Sequence, residues 1–265
     1  MTVSITAMPY LNDGHLRLTR TGFNPTVDDV IDVRRILTEL GIGNHTVPME
    51  IALMILSSAS YHPCQSSIKQ LEARYEADDF WRRGPEASIA GLYLTVSTLS
   101  VPDTIARVKS ITFQMKAADQ GWADNGGHGT YDNSHTWYEA SILRPRSKAS
   151  TATVLTNTDM GNFRTPGDAR GHLRNHGWDM VERNGTVVWR VHNNITACRE
   201  YKYYRVDWVA GIPTEIDDPR AMGDGEGFLE LLRPDDVVVL WARAEEQAWI
   251  NKIQEATMEI EYEVL

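Results

Sequence analysis

The chain has 265 residues, of which 42% are hydrophobic and 23% charged, enough apolar material for a folded core and too much for intrinsic disorder. Its formal charge of -10 at pH 7, without any run rich in Lys and Arg, argues against binding to nucleic acid or to an anionic membrane surface. Cys64 and Cys198 are too few for a disulfide framework, and no apolar stretch is long enough to span a bilayer.

The sequence predicts a cytoplasmic protein. Residues 1–8 lack a basic region followed by a long apolar one, so no signal peptide is evident. In the cytoplasm both thiols are expected to be reduced. The sequence is compatible with a homo-oligomer as well as with a monomer.

Residues 1–88 are predicted to form a helical segment that packs on the rest of the chain as a cap. The first helix begins at Thr26, where Asp29 three residues later completes a capping-box pattern. A second, strongly apolar helix is predicted over residues 49–59, and a third, more polar one over residues 66–81.

From residue 89 onward the hydrophobic period changes to two, which is typical of strands. Alternation is cleanest over residues 256–264, and residues 237–241 form a continuous apolar run that indicates a central strand. Strands separated by turns, without helices between them, predict an antiparallel β-sandwich over residues 89–265. The predicted fold class is therefore mainly β, a jelly-roll or galactose-binding-like sandwich with an N-terminal α-helical cap.

Two long segments rich in glycine and polar residues, 119–133 and 157–175, are predicted to be loops. Loops of this length in a compact domain are usually functional or disordered. Because sandwich loops cluster at the ends of the sheets, the two are expected to converge on one site.

Several stretches form a recognisable set: Asp-Gln-Gly-Trp at 119–122, Gly-Thr-Tyr at 129–131, Ser134 with Thr-Trp-Tyr-Glu at 136–139, and the later stretches 189–194, 232–236 and 249–251. Together they resemble a fungal β-sandwich domain family known mainly from uncharacterised proteins. Some stand-alone fungal proteins of this kind resemble hetero-Diels–Alderases of tropolonic sesquiterpene biosynthesis. That resemblance implies a cofactor-independent enzyme acting on a hydrophobic small molecule.

The first loop and its surroundings supply polar and aromatic side chains that suit an oxygenated organic ligand. The candidate catalytic residues are His128, Tyr131 and Arg164, each able to donate a hydrogen bond to a carbonyl oxygen. The candidate substrate-binding residues are Gln120, Trp122, His135, His172 and Asn194. The alternative is structural, with the Trp in the core and the polar loop residues solvated. Glu139 is an acid–base candidate if buried, and a surface ion pair otherwise.

No motif for a metal, nucleotide or activated nucleophile is present. His172 and His176 have H-x-x-x-H spacing, but no third ligand is evident. The sequence contains neither G-x-S-x-G nor G-x-G-x-x-G. We therefore expect no cofactor and no metal.

Three functions fit these observations. The first is a cofactor-independent enzyme of fungal secondary metabolism, a hetero-Diels–Alderase that joins a quinone methide, formed from a hydroxymethyl tropolone or aromatic, to a terpene alkene. The second is a lectin-like module that binds a carbohydrate or small molecule without catalysis, because Trp and Tyr faces flanked by amide side chains also suit sugars. The third is a structural interaction protein.

Overall fold

A computed structural model of the chain describes residues 15–20, 22–40, 45–78, 87–147 and 161–265. They form two antiparallel β-sheets whose facing side chains make one core, with a small helical region beside them. The predicted mainly β sandwich with a helical region is confirmed. No helix within the described ranges is long and apolar enough to cross a membrane.

The described helices are short. Helix α1 spans Val27–Arg35 and continues into a π-helical turn over Ile36–Leu40, and α2 spans Met49–Ser58. In the second half of the chain, α3 spans Arg170–Asn175 and α4 spans Phe228–Leu231.

Both of the first two predicted helices are present. The Thr26 hydroxyl accepts a hydrogen bond from the Asp29 N–H at 3.1 Å, and the Asp29 carboxylate accepts one from the Thr26 N–H at 2.8 Å, so the capping box is confirmed. Val30 of α1 and Leu56 of α2 join the core cluster of the sandwich. The two helices therefore pack on the sandwich.

Eleven strands, all antiparallel to their partners, form the two sheets of the described structure. They are β1 Cys64–Lys69, β2 Ala73–Glu76, β3 Ser88–Ser97, β4 Ala106–Ala118, β5 Thr136–Pro145, β6 Asn162–Phe163, β7 Trp178–Met180, β8 Trp189–Asn193, β9 Lys202–Val209, β10 Val237–Glu245 and β11 Ile250–Val264.

Sheet 1 is built around the longest strand, β11. Its order is β1-β11-β4-β9, and β2 pairs with the first part of β11, beside β1. The alternation predicted over residues 256–264 is confirmed, because Met258, Ile260 and Tyr262 are buried in the core between the sheets.

Sheet 2 has the order β6-β3-β10-β5-β7, with β8 paired to the first half of β5. Strand β10 is central, as its continuous apolar run predicted. Its side chains alternate between two clusters: Leu240 and Ala242 face the core, whereas Trp241 packs under α3 and β7 on the outer face. Sheet 2 is thus buried on both sides over part of its area.

The predicted third helix over residues 66–81 is wrong over its described part, because β1 and β2 lie there. Ser66 pairs with Glu259 and Tyr75 with Asn251, so both strands extend sheet 1. The burial of β1 alternates, yet its residues are mainly polar. Pairing with β11 overrides the weak local preference of such a segment.

The predicted loop over residues 157–175 is also only partly correct. Residues 157–160 lie outside the described part of the chain, but the rest contains β6, a 3₁₀ turn over Pro166–Ala169, and α3. Thr165 and Asp168 form a second capping box, with hydrogen bonds of 3.3 and 3.0 Å, and Pro166 occupies the first turn. These local signals explain the helical turns.

Residues 15–20 lie across the outer face of sheet 1. The Glu259 carboxylate accepts hydrogen bonds from the N–H groups of Thr19 at 2.8 Å and Arg20 at 3.3 Å. His15 Nδ1 lies 3.2 Å from a carboxylate oxygen of Glu255. Both glutamates are buried, although they lie on the face of β11 opposite the core.

Candidate functional site

The predicted loop over residues 119–133 is confirmed, and it is attached to the segment after β8. The buried carboxylate of Asp119 accepts hydrogen bonds from the N–H groups of Gln120 at 2.7 Å and Ala197 at 2.8 Å. Burial raises the pKa of Asp119 to about 6. The N–H of Thr196 donates to the Thr130 carbonyl at 2.8 Å, which also holds the two segments together.

Tyr131, a predicted catalytic residue, lies against a buried histidine. Its ring meets His192 edge-on at a centroid distance of 5.6 Å, and His192 is tilted against Tyr204 at 4.5 Å. His192 is the penultimate residue of β8 and faces the core side of sheet 2, because it pairs with buried Tyr138. The three rings form the aromatic cluster Tyr131–His192–Tyr204, contributed by a loop and by strands of both sheets.

The protonation state of His192 follows from its surroundings. Its Nδ1 lies 2.6 Å from the Asn193 carbonyl oxygen, which can only accept, so Nδ1 carries the hydrogen. Burial lowers the pKa of His192 to about 4. The imidazole is therefore neutral near pH 7, and its Nε2, which bonds to no described residue, has a free lone pair.

The Tyr131 hydroxyl also bonds to no described residue, although the side chain is only partly exposed. Burial, and to a smaller extent the charge of Asp218, raises the pKa of Tyr131. Tyr131 is thus a neutral hydrogen-bond donor beside a neutral acceptor. This combination suits an oxygenated ligand that both accepts and donates.

The segment between β9 and β10 borders the aromatic cluster. Met222 forms an isolated β-bridge with His192, and Asn193 Nδ2 donates to the Arg220 carbonyl at 2.8 Å. The Arg220 guanidinium forms a short ion pair with Asp132 of the first loop. The two loops therefore meet next to Tyr131, and the ion pair between Arg220 and Asp132 joins them.

Three other predicted residues gather at Trp249, which precedes β11. Trp122 lies 6.4 Å from the Trp249 ring and His135 lies 4.7 Å from it, while Gln120 accepts a hydrogen bond from the Ile250 N–H at 3.2 Å. Trp122 is 43% exposed, so it is not the core residue of the structural alternative. Gln120, Trp122 and His135 therefore form a surface patch around the buried ring of Trp249.

Asn194 is fully buried and belongs to an internal network. Its side-chain N–H groups donate to Thr136 at 3.0 Å and to Asn251 at 3.1 Å, and Tyr138 donates to Asn251 at 2.5 Å. The structure therefore places Asn194 behind the surface, where it joins β5, β8 and β11, instead of at a position open to a ligand.

Arg164 and His172 lie on the other side of sheet 2. The exposed Arg164 follows β6, and its carbonyl accepts a hydrogen bond from Ser88 Oγ at 2.9 Å. His172 of α3 contacts Phe163 at 5.8 Å, and Phe163 packs on the outer-face cluster of sheet 2. Tyr131 packs on the inner core, so the structure does not bring these residues together with Tyr131 into the single site that we expected.

His128 occupies an exposed position in the first loop, with Gly127 and Gly129 on either side, both at positive φ. Its exposure leaves it available to a ligand, and it makes no hydrogen bond, ion pair or ring contact with the described residues.

Glu139 is buried, and an arginine neutralises it. Its carboxylate accepts a hydrogen bond from Arg243 Nη1 at 3.0 Å, and Arg190 Nη2 lies 3.8 Å away. Both guanidinium groups lie over the ring of Trp137, at 4.2 Å for Arg190 and 5.0 Å for Arg243. This cluster lies on the outer face of sheet 2, so the surface ion pair that we considered for Glu139 is replaced by a buried one.

Sequence reasoning missed two residues of the aromatic cluster, His192 and Tyr204. His192 lies in the aromatic stretch 189–194 that carries part of the family resemblance, but its partner Tyr131 is distant in sequence. A shift in register between β5 and β8 at Tyr138 decides which face His192 occupies, and such a shift has no signature in a single sequence.

No group of three or more metal-ligating side chains occurs in the described ranges. No protein-family model matches the chain, and no curated protein matches it. The resemblance to the fungal β-sandwich family and to the hetero-Diels–Alderases therefore stays a prediction.

Proposed function

We propose that this chain is a cofactor-independent, non-redox cytoplasmic enzyme that binds an oxygenated, largely apolar small molecule against the Tyr131–His192–Tyr204 cluster. One observation carries the proposal: a neutral phenol and a neutral imidazole, both with a free polar atom, lie edge-on to each other where two loops are joined. Neutral donors and acceptors of this kind support proton transfer without a metal.

The reaction we propose is the loss of water from a hydroxymethyl tropolone or phenol, followed by cycloaddition to an alkene. Nε2 of His192 takes the ring hydroxyl proton, while the departing hydroxide takes a proton from Tyr131 and leaves as water. A proton passing from His192 to Tyr131 then restores both side chains. The resulting quinone methide forms two new bonds to the alkene, and this step needs no further proton.

Tyr131 has a second task in this proposal. A hydrogen bond from its restored hydroxyl to the quinone methide carbonyl oxygen withdraws electron density and favours attack by the alkene. The apolar partner is held near Met222 and Ile195, two partly buried residues that pack on the same core. Holding both reactants there lowers the entropic cost of their encounter.

The experiment is a product assay with purified protein, a hydroxymethyl tropolone and a terpene alkene, without added cofactor. We expect faster coupling and one dominant stereoisomer. Tyr131→Phe and His192→Phe should each reduce turnover by about 10²–10⁴-fold, the usual contribution of an acid–base group. Tyr61→Phe is the matched control, since Tyr61 contacts Phe23 beside the helices and should retain full activity.

Glycan binding without catalysis is the second candidate, and the exposed Trp122 favours it. A Trp ring that is 43% exposed beside Gln120 and His135 offers a stacking surface and polar groups to a sugar. This candidate would be supported if the protein binds a glycan array, if Trp122→Ala abolishes that binding, and if the wild-type protein does not accelerate the coupling reaction. The protein would then be a lectin and not an enzyme.

A further inference from the structure

Strand β1 lies at an open edge of sheet 1. It pairs with β11 on one side, and no described strand pairs with it on the other. The carbonyl of Pro63, just before β1, accepts a hydrogen bond from the Tyr262 N–H of β11 at 2.9 Å. In an antiparallel pair, residues that bond to the neighbouring strand alternate with residues whose N–H and C=O groups point away from it. Because Pro63 bonds to β11, the backbone groups of Cys64, Ser66 and Ile68 point outward.

Only the first of these three residues has a partner for its outward groups. The Cys64 N–H donates to Asn24 Oδ1 at 3.0 Å, and the Cys64 carbonyl accepts from Asn24 Nδ2 at 2.7 Å. The backbone groups of Ser66 and Ile68 bond to no described residue outside β1 and β11. Both residues are exposed, Ile68 to 44%. Ser66 and Ile68 therefore each present an unpaired N–H and an unpaired C=O at the surface.

The sequence of this edge does not protect it from pairing. Natural edge strands commonly carry Pro, a bulge or a central charged side chain. The register of β1 on β11 is continuous, and β1 is uncharged up to its last residue, Lys69. Two copies of a chain with a net charge of -10 repel each other in general, so a neutral edge is a favourable place for them to meet.

We propose that two copies of this chain associate by antiparallel pairing of their β1 strands about a two-fold axis at Ser67. Ser66 of one copy then lies opposite Ile68 of the other, and each of these pairs exchanges both of its hydrogen bonds. All the outward groups of Ser66 and Ile68 are thereby bonded. Lys69 lies opposite the uncharged Gln65, so no like charges face each other across the new ladder.

The Asn24 side chain favours a second copy over a longer strand from another protein. A longer strand would extend to Cys64, whose groups Asn24 already occupies, and would leave its own N–H and C=O unpaired there. In the two-fold arrangement the residue opposite Cys64 is Gln70, where β1 has ended. The next residue, Leu71, is 64% exposed and reaches the end of the ladder where Phe23, 72% exposed, precedes Asn24. Pairing thus gives these apolar side chains a neighbour.

Sedimentation equilibrium of the full chain at increasing concentration tests the association, and we expect a reversible dimer. Ile68→Pro removes an outward N–H, while the bonds between β1 and β11 do not involve Ile68. The dissociation constant of the dimer should therefore rise about tenfold or more. Ile68→Thr is the matched control, because it keeps the N–H and a β-branched side chain, and it should dimerise nearly as well as the wild type.

A cross-link tests the register independently. At the two-fold axis the Ser67 residues of the two copies form a non-hydrogen-bonded pair with Cα atoms about 4.5 Å apart, which a disulfide can bridge. In a Cys198→Ser background, which removes the partly exposed native thiol, Ser67→Cys should give a covalent dimer on mild oxidation. Gln65→Cys is the control on the same strand face. Its two copies lie about 13 Å apart along the ladder and should not cross-link.

The proposal is overturned if the full chain stays monomeric at high concentration, or if folded Ile68→Pro dimerises as well as the wild type. It also fails if Ile68→Thr loses the dimer, because the side chain and not the backbone would then hold the copies together. Equal cross-linking of Gln65→Cys and Ser67→Cys would contradict the register. If near-UV circular dichroism shows that Ile68→Pro is unfolded, the cross-linking pair decides. None of these outcomes depends on activity at Tyr131.

Discussion

Tyr131 lies edge-on to His192, with the ring centroids 5.6 Å apart and the ring planes inclined at 73°. The two side chains come from the first long loop and from β8, so the contact joins a loop to the sheet. Burial raises the pKa of the phenol and lowers that of the imidazole. Both groups stay neutral around pH 7, and this state underlies the proposed chemistry.

The first prediction concerns stability and pH at His192. Its pKa is about 4 when folded and 6.5 when unfolded, so its contribution is complete above pH 6.5 and is lost as the pH falls from 6.5 to 4. That loss is at most about 3 kcal/mol. The free energy of unfolding of His192→Phe, relative to wild type, should therefore rise as the pH falls through this range. Urea unfolding at several pH values measures it, and a constant difference would contradict the burial argument.

The second prediction concerns the contact of residues 15–20 with sheet 1. Glu259→Ala leaves the N–H groups of Thr19 and Arg20 without their acceptor, which should cost about 1–3 kcal/mol of unfolding free energy. Amide exchange at Thr19 should accelerate. Glu263→Ala is the matched control on the same strand face, where the exposed pair with Arg107 contributes at most about 1 kcal/mol. Equal losses in both variants would be evidence against the role of Glu259.

The third prediction concerns Gly91 in β3. A Cβ at this position would lie 1.8 Å from the ring of Tyr75, so Gly91→Ala should destabilise the fold by about 1–3 kcal/mol or more. In a Tyr75→Ala background the same change should cost little, since the obstructing ring is gone. Gly171→Ala, in α3 with no atom near its added methyl group, should be neutral or stabilising by up to about 1 kcal/mol. If the losses of unfolding free energy for Gly91→Ala and Tyr75→Ala are additive in the double variant, the close contact between the two residues is contradicted.

The fourth prediction concerns the buried ion pair of sheet 2. Arg243 donates to Glu139, to Ser88 Oγ at 3.2 Å and to the Ile89 carbonyl at 3.1 Å. Arg243→Met should cost about 3–5 kcal/mol, because it leaves a buried carboxylate with only the more distant Arg190. Adding Glu139→Gln should restore part of this loss, as measured by denaturant unfolding in a double-mutant cycle. No recovery in the double variant would argue that the carboxylate is neutralised by Arg190 alone.

The sequence predicted those elements that are determined by residues close together in the chain. The alternation of β11, the apolar run of β10 and the capping box of α1 each have a local cause, and all are found. Strands β1 and β2 were missed because their polar residues become strand only by pairing with β11, which is distant in sequence. The burial of Glu259 was equally hidden, since it depends on residues 15–20.

The candidate site was predictable only in part. Gln120, Trp122 and His135 were named from one loop, and the structure gathers them around Trp249 because loop residues near in sequence have few ways to separate. We predicted that Arg164 and Tyr131 lie in one site because the loops of a sandwich cluster at the ends of its sheets. Residues 162–175 instead cross the outer face of sheet 2, where Phe163 and Leu173 have apolar partners.

The position of β11 in sheet 1 has a consequence for the time course of folding. Among the described strands, β11 is the only sheet neighbour of β1 and β2, and β4 separates β11 from β9. The ribosome therefore releases β1 and β2 long before their partner, with all of sheet 2 made in between. At about 5–20 residues per second this interval is on the order of ten seconds or more. During it the edge of β1 is unpaired, and the nascent chain is open to aggregation and to chaperones.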